Sequence, residues 1–258
     1  ISKKIYENVN GGNLFKVDNP KIAEVVKSFE NAFRLVNISL VNELALLCEN
    51  LGINVKKVID AAATKPFGFL PHYPSAGAGG HCIPKDPRFL LESSKKYGLE
   101  FQAIENALRI NSEMPLHVCD SIEKKLNELK LKKSVIVCGL SYKANVEDMR
   151  DSASFKILIE LKKRGFDVVG YDPYFKNNLI EKYKIENKIE EFNVKIIERL
   201  DEKIIKQFNC LCIIQHHNID KNRINEIYNN STFPYIYDCQ NKLEVMSSSN
   251  SILESLGS

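Results

Sequence analysis

The sequence predicts an α/β protein in which an all-helical region precedes a doubly wound, Rossmann-like parallel sheet. In residues 19–131 apolar side chains recur with a helical period, and no strand-like alternation interrupts them. From residue 132 short apolar runs alternate with helical segments, as in strands joined by crossover helices. We therefore divide the chain into residues 1–18, a helical domain over 19–131 and a sheet domain over 132–258.

The composition is that of a globular protein, with 44% hydrophobic and 27% charged residues in 258. Apolar runs are too short to cross a membrane, and no signal peptide is expected. The net charge of +3, with lysines mixed among acids, argues against nucleic acid binding. Seven cysteines without a Cys-x-x-Cys pair predict free thiols in a reducing cytoplasm, with no disulfide framework and no metal site.

The first segment, residues 1–18, reads as polar and turn-rich, with one short strand at 14–17. A long helix follows over 19–51, because Asn19 and Pro20 form a start signal and Gly52 a stop signal. Its apolar residues lie close to a helical period: Ile22, Val25, Val26, Phe29, Phe33, Val36, Leu40, Leu44 and Leu47. We expect this face to form the core of the helical domain, and its excess apolar area to form an interface.

The other side of the long helix carries polar residues. Lys27 and Asn31 are four apart and share a face, and Asn42 lies three turns further along nearly the same line. Spacing alone leaves two interpretations open, a solvated face and a functional stripe.

The remaining helices of this region are expected from Val55 to about Ala63, over 87–97 and over about 101–131. Pro115 is expected to kink or split the last of these. The segment between the second and third helices carries three basic residues: Lys65, His72 and Lys85.

A glycine-rich run occupies residues 77–87, Gly-Ala-Gly-Gly-His-Cys-Ile-Pro-Lys-Asp-Pro. Its glycines allow positive φ and close approach of the backbone to a ligand. Asp86 and Pro87 read as an N-cap and a first helical residue. Cys82 would then lie near a helix N-terminus, which favours the nucleophilic thiolate. A buried structural cysteine is the alternative interpretation.

In the sheet domain, strands are predicted at 134–139, 167–173, 210–214 and, as the last, 235–238, with a helix over 152–164. Such sheets bind ligands at the carboxyl ends of their strands. The loop after the first strand carries Lys143 and Arg150 beside a helix start, which suits an anion. His216 and His217 follow the third strand and are expected to cap a loop or contact a ligand.

The run 77–87 resembles the active-site loop of the UDP-glucose/GDP-mannose dehydrogenase family, and its His-Cys-Ile-Pro form resembles the branch that oxidises acetamido sugars. Residues 142–152, Tyr-Lys-Ala-Asn-Val-Glu-Asp-Met-Arg-Asp-Ser, independently resemble the family's UDP-binding loop. The resemblance extends from about residue 5 to residue 257. One departure lies at 238–241, where many members have Asp-Gly-Arg-Asn and this chain has Gln240 in place of the arginine.

The resemblance implies roles for individual residues. Cys82 would be the catalytic nucleophile, and Asp86 would orient or deprotonate water. Lys27 and Asn31 would lie at the sugar C6 and steady the oxyanion. Substrate-binding residues would be Gly79, Gly80, His81, Lys143 and Arg150.

The family oxidises C6 of a nucleotide sugar to the acid with two NAD, so the expected substrate is a UDP-N-acetylhexosamine, foremost UDP-N-acetyl-D-mannosamine. UDP-glucose and UDP-N-acetylglucosamine are alternatives. No Gly-x-Gly-x-x-Gly occurs, so we expect NAD to be bound mainly by an absent N-terminal domain, of which residues 1–18 are a remnant. The family also implies a homodimer through helix 19–51. Two other hypotheses are a non-catalytic sugar-nucleotide-binding and dimerisation module and, with less support, a thiol hydrolase.

Overall fold

The computed structural model describes residues 2–11, 14–175, 189–230, 232–243 and 249–258. The helical region consists of α1 (Ser2–Asn10), α2 (Pro20–Leu51), α3 (Val55–Ala62), α4 (Asp86–Lys95) and α5 (Gln102–Glu128). The sheet region consists of β1 (Ser134–Cys138), α6 (Ala153–Lys163), β2 (Asp167–Tyr171), a 3-10 turn (Ile189–Phe192), β3 (Lys195–Ile197), α7 (Glu202–Ile205), β4 (Cys210–Ile213), α8 (Lys221–Asn229), β5 (Tyr235–Asp238) and β6 (Ile252–Ser255).

The six strands form one sheet in the order β3-β2-β1-β4-β5-β6, and every neighbouring pair is parallel. This is the strand order of the Rossmann fold, so the predicted doubly wound sheet is confirmed. The direction of the strand order reverses between β1 and β4. The loops that follow these two strands therefore border the crevice in which such sheets bind ligands.

Both faces of the sheet are covered, which explains why its strands read as nearly continuous apolar runs. Val135 and Val137 of β1 belong to the core cluster formed with α5 and α6. Ile136 and Cys138 belong to the cluster on the opposite face, together with residues of α7 and α8. Alternate residues of one strand thus enter two different cores.

Helix α2 has the predicted ends but not the predicted core face. The Asn19 side chain accepts from the Lys21 amide at 2.9 Å, and Gly52 ends the helix at φ +66°. The buried side chains of α2 are largely small or polar: Asn31, Ala32, Leu35, Ser39, Val41, Asn42, Ala45 and Cys48. Most of the apolar residues expected in the core are exposed instead: Ile22, Val25, Val26, Phe29, Phe33, Leu40 and Leu47.

Close packing against α5 accounts for this choice of buried face. The Ser39 hydroxyl donates to the carbonyl of Ala107 at 2.9 Å, so the two backbones lie near each other. Where two helix backbones lie this close, small side chains fit between them more readily than large ones. No helix in the described part of the chain combines the length and the hydrophobicity that a membrane crossing requires.

Helix α5 connects the two regions. Ile104 and Ala107 are buried in its N-terminal half, which lies against α2, and Val118, Ile122 and Leu126 enter the core beneath the sheet. Pro115 is accommodated within this single helix, so the expected split is wrong. Proline cannot donate to the Asn111 carbonyl. Gly77 packs over that oxygen, and a Cβ on Gly77 would stand only 3.1 Å from it.

Several local expectations are wrong. Residues 2–10 are helical, and residues 14–17 form no strand. Helix α4 begins at Asp86, so the N-cap position belongs to Lys85. Strand β5 is not the last, because β6 pairs with it at the sheet edge. Strand β6 contains Glu254 and Ser255, so it lacks the apolar run from which the other strands were predicted.

The C-terminal residues return to the helical region. The carbonyl of Gly257 accepts from the Val55 amide at 2.7 Å, and its amide donates to the Glu49 carboxylate at 2.9 Å. Lys125 of α5 pairs with Glu254 of β6 at 2.5 Å. The sheet is thus attached to α2, α3 and α5 at the edge opposite β3.

Candidate active site

A cleft of about 470 Å³ lies between the helical region and the carboxyl ends of the sheet. One wall is a single face of α2, with Lys27, Asn31, Arg34 and Ile38 at helical spacing. The opposite wall comes from the loops after β1, β4 and β5, namely Ser141, Tyr142, Lys143, Ile214, Gln215 and Gln240. Residues 75–83, which include the first seven residues of the glycine-rich run, line the space between the walls.

Cys82 is the exposed thiol of this chain and lies in the cleft. Its carbonyl accepts from the amides of Lys85 and Asp86 at 3.2 and 2.9 Å, a tight turn that leads directly into α4. The other six cysteines are buried. Burial raises the pKa of four of these thiols, Cys119, Cys138, Cys210 and Cys239. Because Cys82 itself is exposed, the alternative interpretation of it as a buried structural residue is wrong.

Asp86 does not cap its helix with its side chain, contrary to the sequence prediction. Its carboxylate accepts a 2.6 Å hydrogen bond from the side-chain amide of Asn31, which is buried in α2. As the first residue of α4, the carboxylate still lies where the helix dipole stabilises negative charge. The two predicted site residues, 55 positions apart in sequence, are thus in direct contact.

Lys27 lies one turn before Asn31 and also lines the cleft. Its ammonium group is 3.8 Å from Glu30, and both side chains are largely exposed. An exposed ion pair at this distance contributes little to stability, so it does not hold the Lys27 side chain in one rotamer.

Gly79 and Gly80 are required where the glycine-rich run meets the loop after β1. A Cβ on Gly80 would stand 2.7 Å from the Tyr142 ring, and one on Gly79 would stand 2.6 Å from the Asp151 carbonyl. Gly80 has φ +83°, and its amide donates to the carbonyl of Arg150 at 2.9 Å. These glycines line the cleft, but the group they approach most closely is the facing loop.

The other predicted binding residues differ in their surroundings. His81 is exposed and lines the cleft beside Cys82. Arg150 lines the cleft and holds Asp148 through its guanidinium, at distances down to 2.6 Å. Lys143 is exposed, lines the cleft and has no ion pair within the described ranges.

The three basic residues noted between the second and third helices, Lys65, His72 and Lys85, do not line this cleft. Lys85 forms a 2.8 Å ion pair with Asp151 and so joins the glycine-rich run to the loop after β1. Lys65 lies over the ring of Phe67, and His72 contacts its own loop through the carbonyl of Leu70.

Two asparagines hold the glycine-rich run and Ser75 just before it. Asn42 belongs to the polar stripe of α2 noted in the sequence, whereas Asn111 was not predicted as a site residue. The Asn111 side chain accepts from the Ala78 amide at 2.6 Å and donates to its carbonyl at 3.0 Å. The Asn42 side chain accepts from the Ser75 amide at 2.9 Å. Buried asparagines inside helices are the signal that could have identified both, because an amide in such a place needs a partner.

Two aspartates at strand ends organise the sheet side of the cleft. Asp172, just after β2, accepts from the amides of Leu140 and Ser141 at 2.7 and 2.9 Å and contacts His217 at 3.2 Å. Burial alone would raise the pKa of Asp172, but these donors, His217 first, lower it below its ordinary value.

Asp238, the last residue of β5, has the same arrangement. It contacts His216 at 2.9 Å and accepts from the amides of Lys242 and Leu243 at 2.7 and 2.8 Å. Burial opposes ionisation here too, yet the contact with His216 and the backbone donors hold the pKa of Asp238 low. Both histidines after β4 therefore cap loops, as one of the two sequence interpretations had it.

This geometry can be compared with known proteins. Residues 21–113 match the central-domain model of the UDP-glucose/GDP-mannose dehydrogenase family, and residues 136–245 match its UDP-binding-domain model. The chain belongs to this family. The cleft described above lies between the two matched segments of this family member, and both segments contribute walls to it.

Relatives with related names cover most of the chain. A UDP-N-acetyl-D-mannosamine dehydrogenase of Methanococcus vannielii is 36% identical over 190 residues, which are 73% of this chain and 43% of that protein. One from Methanococcus maripaludis strain C7 is 32% identical over 249 residues, 95% of this chain and 53% of that protein. The solved UDP-D-ManNAc dehydrogenase from Pyrococcus horikoshii superposes with a TM-score of 0.72 at 29% identity, covering 90% of this chain and 51% of that one.

The family member described here therefore spans about half the length of the relatives it matches. Family members use NAD, but the residues of this chain do not fit it. A dinucleotide needs a glycine-rich turn between a strand and a helix to receive its pyrophosphate. The loop after β1 has Leu140, Ser141 and Tyr142 where that turn would be, and Gly139 packs against the Gln215 backbone.

Proposed function

We propose that this chain forms the substrate-binding and cysteine-bearing half of a nucleotide-sugar 6-dehydrogenase that oxidises a UDP-N-acetylhexosamine to its uronic acid. The observation that carries the proposal is the cleft itself. It brings the exposed Cys82, Asn31 and Lys27 together with a loop of the UDP-binding domain, and Asp86 joins this group through its hydrogen bond with Asn31. Names of relatives support UDP-N-acetyl-D-mannosamine as the first substrate to test.

The cysteine would retain the reactive intermediate. An aldehyde formed at C6 would be attacked by the Cys82 thiolate, and its oxygen would take up a proton to give a thiohemiacetal. NAD, which this chain does not hold, would accept the hydride in each oxidation. The second oxidation removes a hydride from C6 and the hydroxyl proton, which leaves a thioester on Cys82.

Hydrolysis of the thioester would then use the polar residues beside the cysteine. Water adds to the carbonyl carbon and the carbon–sulfur bond breaks. The products are the carboxylate, the Cys82 thiolate and two protons, which pass to the base and to solvent. Asp86 would orient or deprotonate the water, and its 2.6 Å contact with Asn31 fixes the position of both side chains. Lys27 and Asn31 would stabilise the developing oxyanion.

The nucleotide would lie along the sheet side of the cleft, with the diphosphate toward Lys143. The resemblance also implies that Arg150, Gly79, Gly80 and His81 contact the substrate. The guanidinium of Arg150 pairs with Asp148, which neutralises part of the charge that it could offer to the substrate. Gln240 lines the cleft where many family members have arginine, so one cation fewer faces the ligand.

A second part of the proposal is a homodimer through α2. Its support is the exposed apolar stripe and the adjoining apolar groove of about 290 Å³, lined by residues such as Phe29, Phe33, Leu90 and Phe101. Contiguous apolar surface of this kind marks an interface. Sedimentation equilibrium of the chain and of Phe29→Asp tests it. A monomeric wild-type mass at tens of micromolar protein would contradict the dimer.

Two measurements test the activity. Calorimetry on the chain should detect UDP and UDP-N-acetyl-D-mannosamine but neither NAD nor GDP. Turnover is measured on the longest gene product that contains these residues, with a panel of UDP- and GDP-sugars and NADH absorbance as the readout. Two NADH per UDP-N-acetyl sugar are expected. Binding of UDP without turnover in that product would favour the alternative, a non-catalytic sugar-nucleotide-binding module.

Lys27→Ala should reduce kcat far more than it changes the affinity for the nucleotide sugar. Loss of one oxyanion donor costs on the order of 10²–10³ in kcat in other enzymes. Arg34 lies on the same face of α2 and also lines the cleft. Arg34→Ala is therefore the matched control, because it removes one positive charge from the same wall without removing the proposed oxyanion donor. A Lys27→Ala protein with normal kcat and raised KM would assign Lys27 to binding instead.

A further inference from the structure

The loop after β1, residues 140–151, is anchored firmly at both ends. Near its start, Ser141 donates to Asp172 through its amide and its hydroxyl, each at 2.9 Å. Near its end, Met149 is buried and the carbonyl of Arg150 accepts from Gly80. The Tyr142 amide also donates to the Asp148 carbonyl at 2.9 Å, which closes the base of the loop.

The tip of the loop, residues 143–147, is held differently. Two hydrogen bonds join this tip to another segment of the described chain, and both involve Asn145. Its amide donates to Nδ1 of His217 at 3.0 Å, and its side-chain oxygen accepts from the Asn218 amide at 2.7 Å. Both partners lie on the loop after β4, more than 70 residues away in sequence.

His217 is oriented for this contact with no freedom left. It is buried, its other nitrogen, Nε2, faces the Asp172 carboxylate at 3.2 Å, and the Tyr174 ring lies 5.0 Å from its ring centre. A backbone N–H can be accepted only by an unprotonated Nδ1, so the ring proton resides on Nε2 and donates to Asp172. The tautomer is therefore fixed by the two partners.

We propose that His217 and Asn218 form a clamp on Asn145 that positions the loop tip, and with it Lys143, for the nucleotide. The inference rests on the proposed function, because it assumes that Lys143 meets the diphosphate. His217 acts through Lys143 and is a positioning residue. Asn145 has φ +61°, which few residue types adopt readily, so the clamp holds a conformation that the loop alone would not keep.

Two substitutions of His217 separate its two contacts. His217→Gln can still donate to Asp172 but offers no acceptor where Nδ1 stood. His217→Asn places an oxygen near the Nδ1 position and loses the contact with Asp172. If the clamp positions the loop, His217→Gln raises the Kd for UDP about tenfold relative to the wild type, the equivalent of one lost hydrogen bond. His217→Asn keeps the acceptor and therefore has a Kd much closer to that of the wild type. Equal losses in both variants would overturn the proposal.

Amide hydrogen exchange tests the clamp without any ligand. The Asn145 amide should be protected in the wild type and in His217→Asn, and should exchange at least about tenfold faster in His217→Gln. Unchanged protection in His217→Gln would overturn the proposal. If the wild-type chain bound no UDP, the proposed function would fail, whereas this exchange measurement would still decide whether the clamp exists.

A double-mutant cycle tests whether the clamp acts through Lys143. In a Lys143→Ala background, His217→Gln should have little further effect on UDP affinity, because the contact it positions is already absent. If the losses of UDP affinity in the two single variants add up in the double variant, the proposal that the clamp acts through Lys143 is overturned. Should His217→Gln fold poorly, Asn145→Gly tests the Asn218 contact instead, with Asn145→Asp, which keeps an acceptor and tolerates positive φ, as its control. Equal UDP affinity and exchange in those two proteins would count against the clamp.

Discussion

Helix α2 and the parallel sheet use their apolar residues in opposite ways. In the sheet, the apolar residues of β1 and β4 are buried on both faces. In α2, most of the long apolar side chains face outward, and Ala45, Ser39 and Asn42 are buried. A hydrophobic pattern therefore predicts that a helix or strand carries an apolar face. It does not predict whether the chain itself covers that face.

The thiols provide the strongest test of this contrast. Native protein should react with a thiol reagent such as DTNB at one cysteine, Cys82, and at the other six only after denaturation, because burial protects those six and raises the pKa of several. Cys82→Ser should abolish the native reaction completely. Fast labelling of a second thiol in the native state would mean that the sheet core is more open than described.

Two phenylalanines compare the regions directly. Phe155, buried beneath the sheet, should cost about 3–5 kcal/mol of unfolding free energy when replaced by alanine. Phe29, which is 63% exposed on α2, should cost about 0.5 kcal/mol or less in the monomer. Urea denaturation at several protein concentrations is the measurement. A Phe29→Ala effect that grows with concentration would sharpen the comparison, since it would identify Phe29 as an interface residue.

Asp172 should make the sheet edge sensitive to acid. Asp172→Asn should cost about 1.5–3 kcal/mol at pH 7, because a buried carboxylate with several donors is replaced by a neutral group. The folded pKa is lowered from 3.8, so this stabilisation is complete above that value and is lost as pH falls through the lower folded pKa. The gap between wild type and variant should therefore close below about pH 4. A gap independent of pH would contradict the charged, hydrogen-bonded state.

Asp220 should behave in the opposite sense and with a smaller effect. Its Oδ2 is buried without a hydrogen-bond partner among the described residues, and burial raises its pKa. Its ionisation therefore costs stability as pH rises from 3.8 through the folded pKa. Asp220→Asn should raise the free energy of unfolding at pH 7 by less than about 1 kcal/mol, with no gain at pH 3. Destabilisation at pH 7 would show that the carboxylate has a partner.

Local signals were sufficient for much of the fold. The ends of α2 follow from Asn19, Pro20 and Gly52, and the inner strands follow from apolar runs that two covered faces require. Strand β6 lacked such a run because it lies at an edge. The wrong core face of α2 has a different cause, since the face that packs against α5 consists largely of small and polar residues, and an apolar pattern does not identify such a face.

Motifs were enough to propose residues for the candidate site, but they did not predict the contacts of those residues. Motifs identified Cys82, Asn31 and Asp86, and the structure brings the last two within 2.6 Å. The partner of Asp86 could not be read locally, because a carboxylate beside a helix start usually bonds the nearest amides. The clamp on Asn145 and the hold of Asn111 on Ala78 depend on residues brought together only by the tertiary fold.

The contacts of Gly257 have a consequence for biosynthesis. The first amide of α3 is bonded by a carbonyl 202 positions later in the chain, and a Cβ on Gly257 would stand 2.4 Å from the Val55 side chain. During translation, α2 and α3 leave the ribosome long before this partner exists. The helical region must therefore wait, with that surface uncovered, until the final strand has been synthesised, and such long-range closure slows folding.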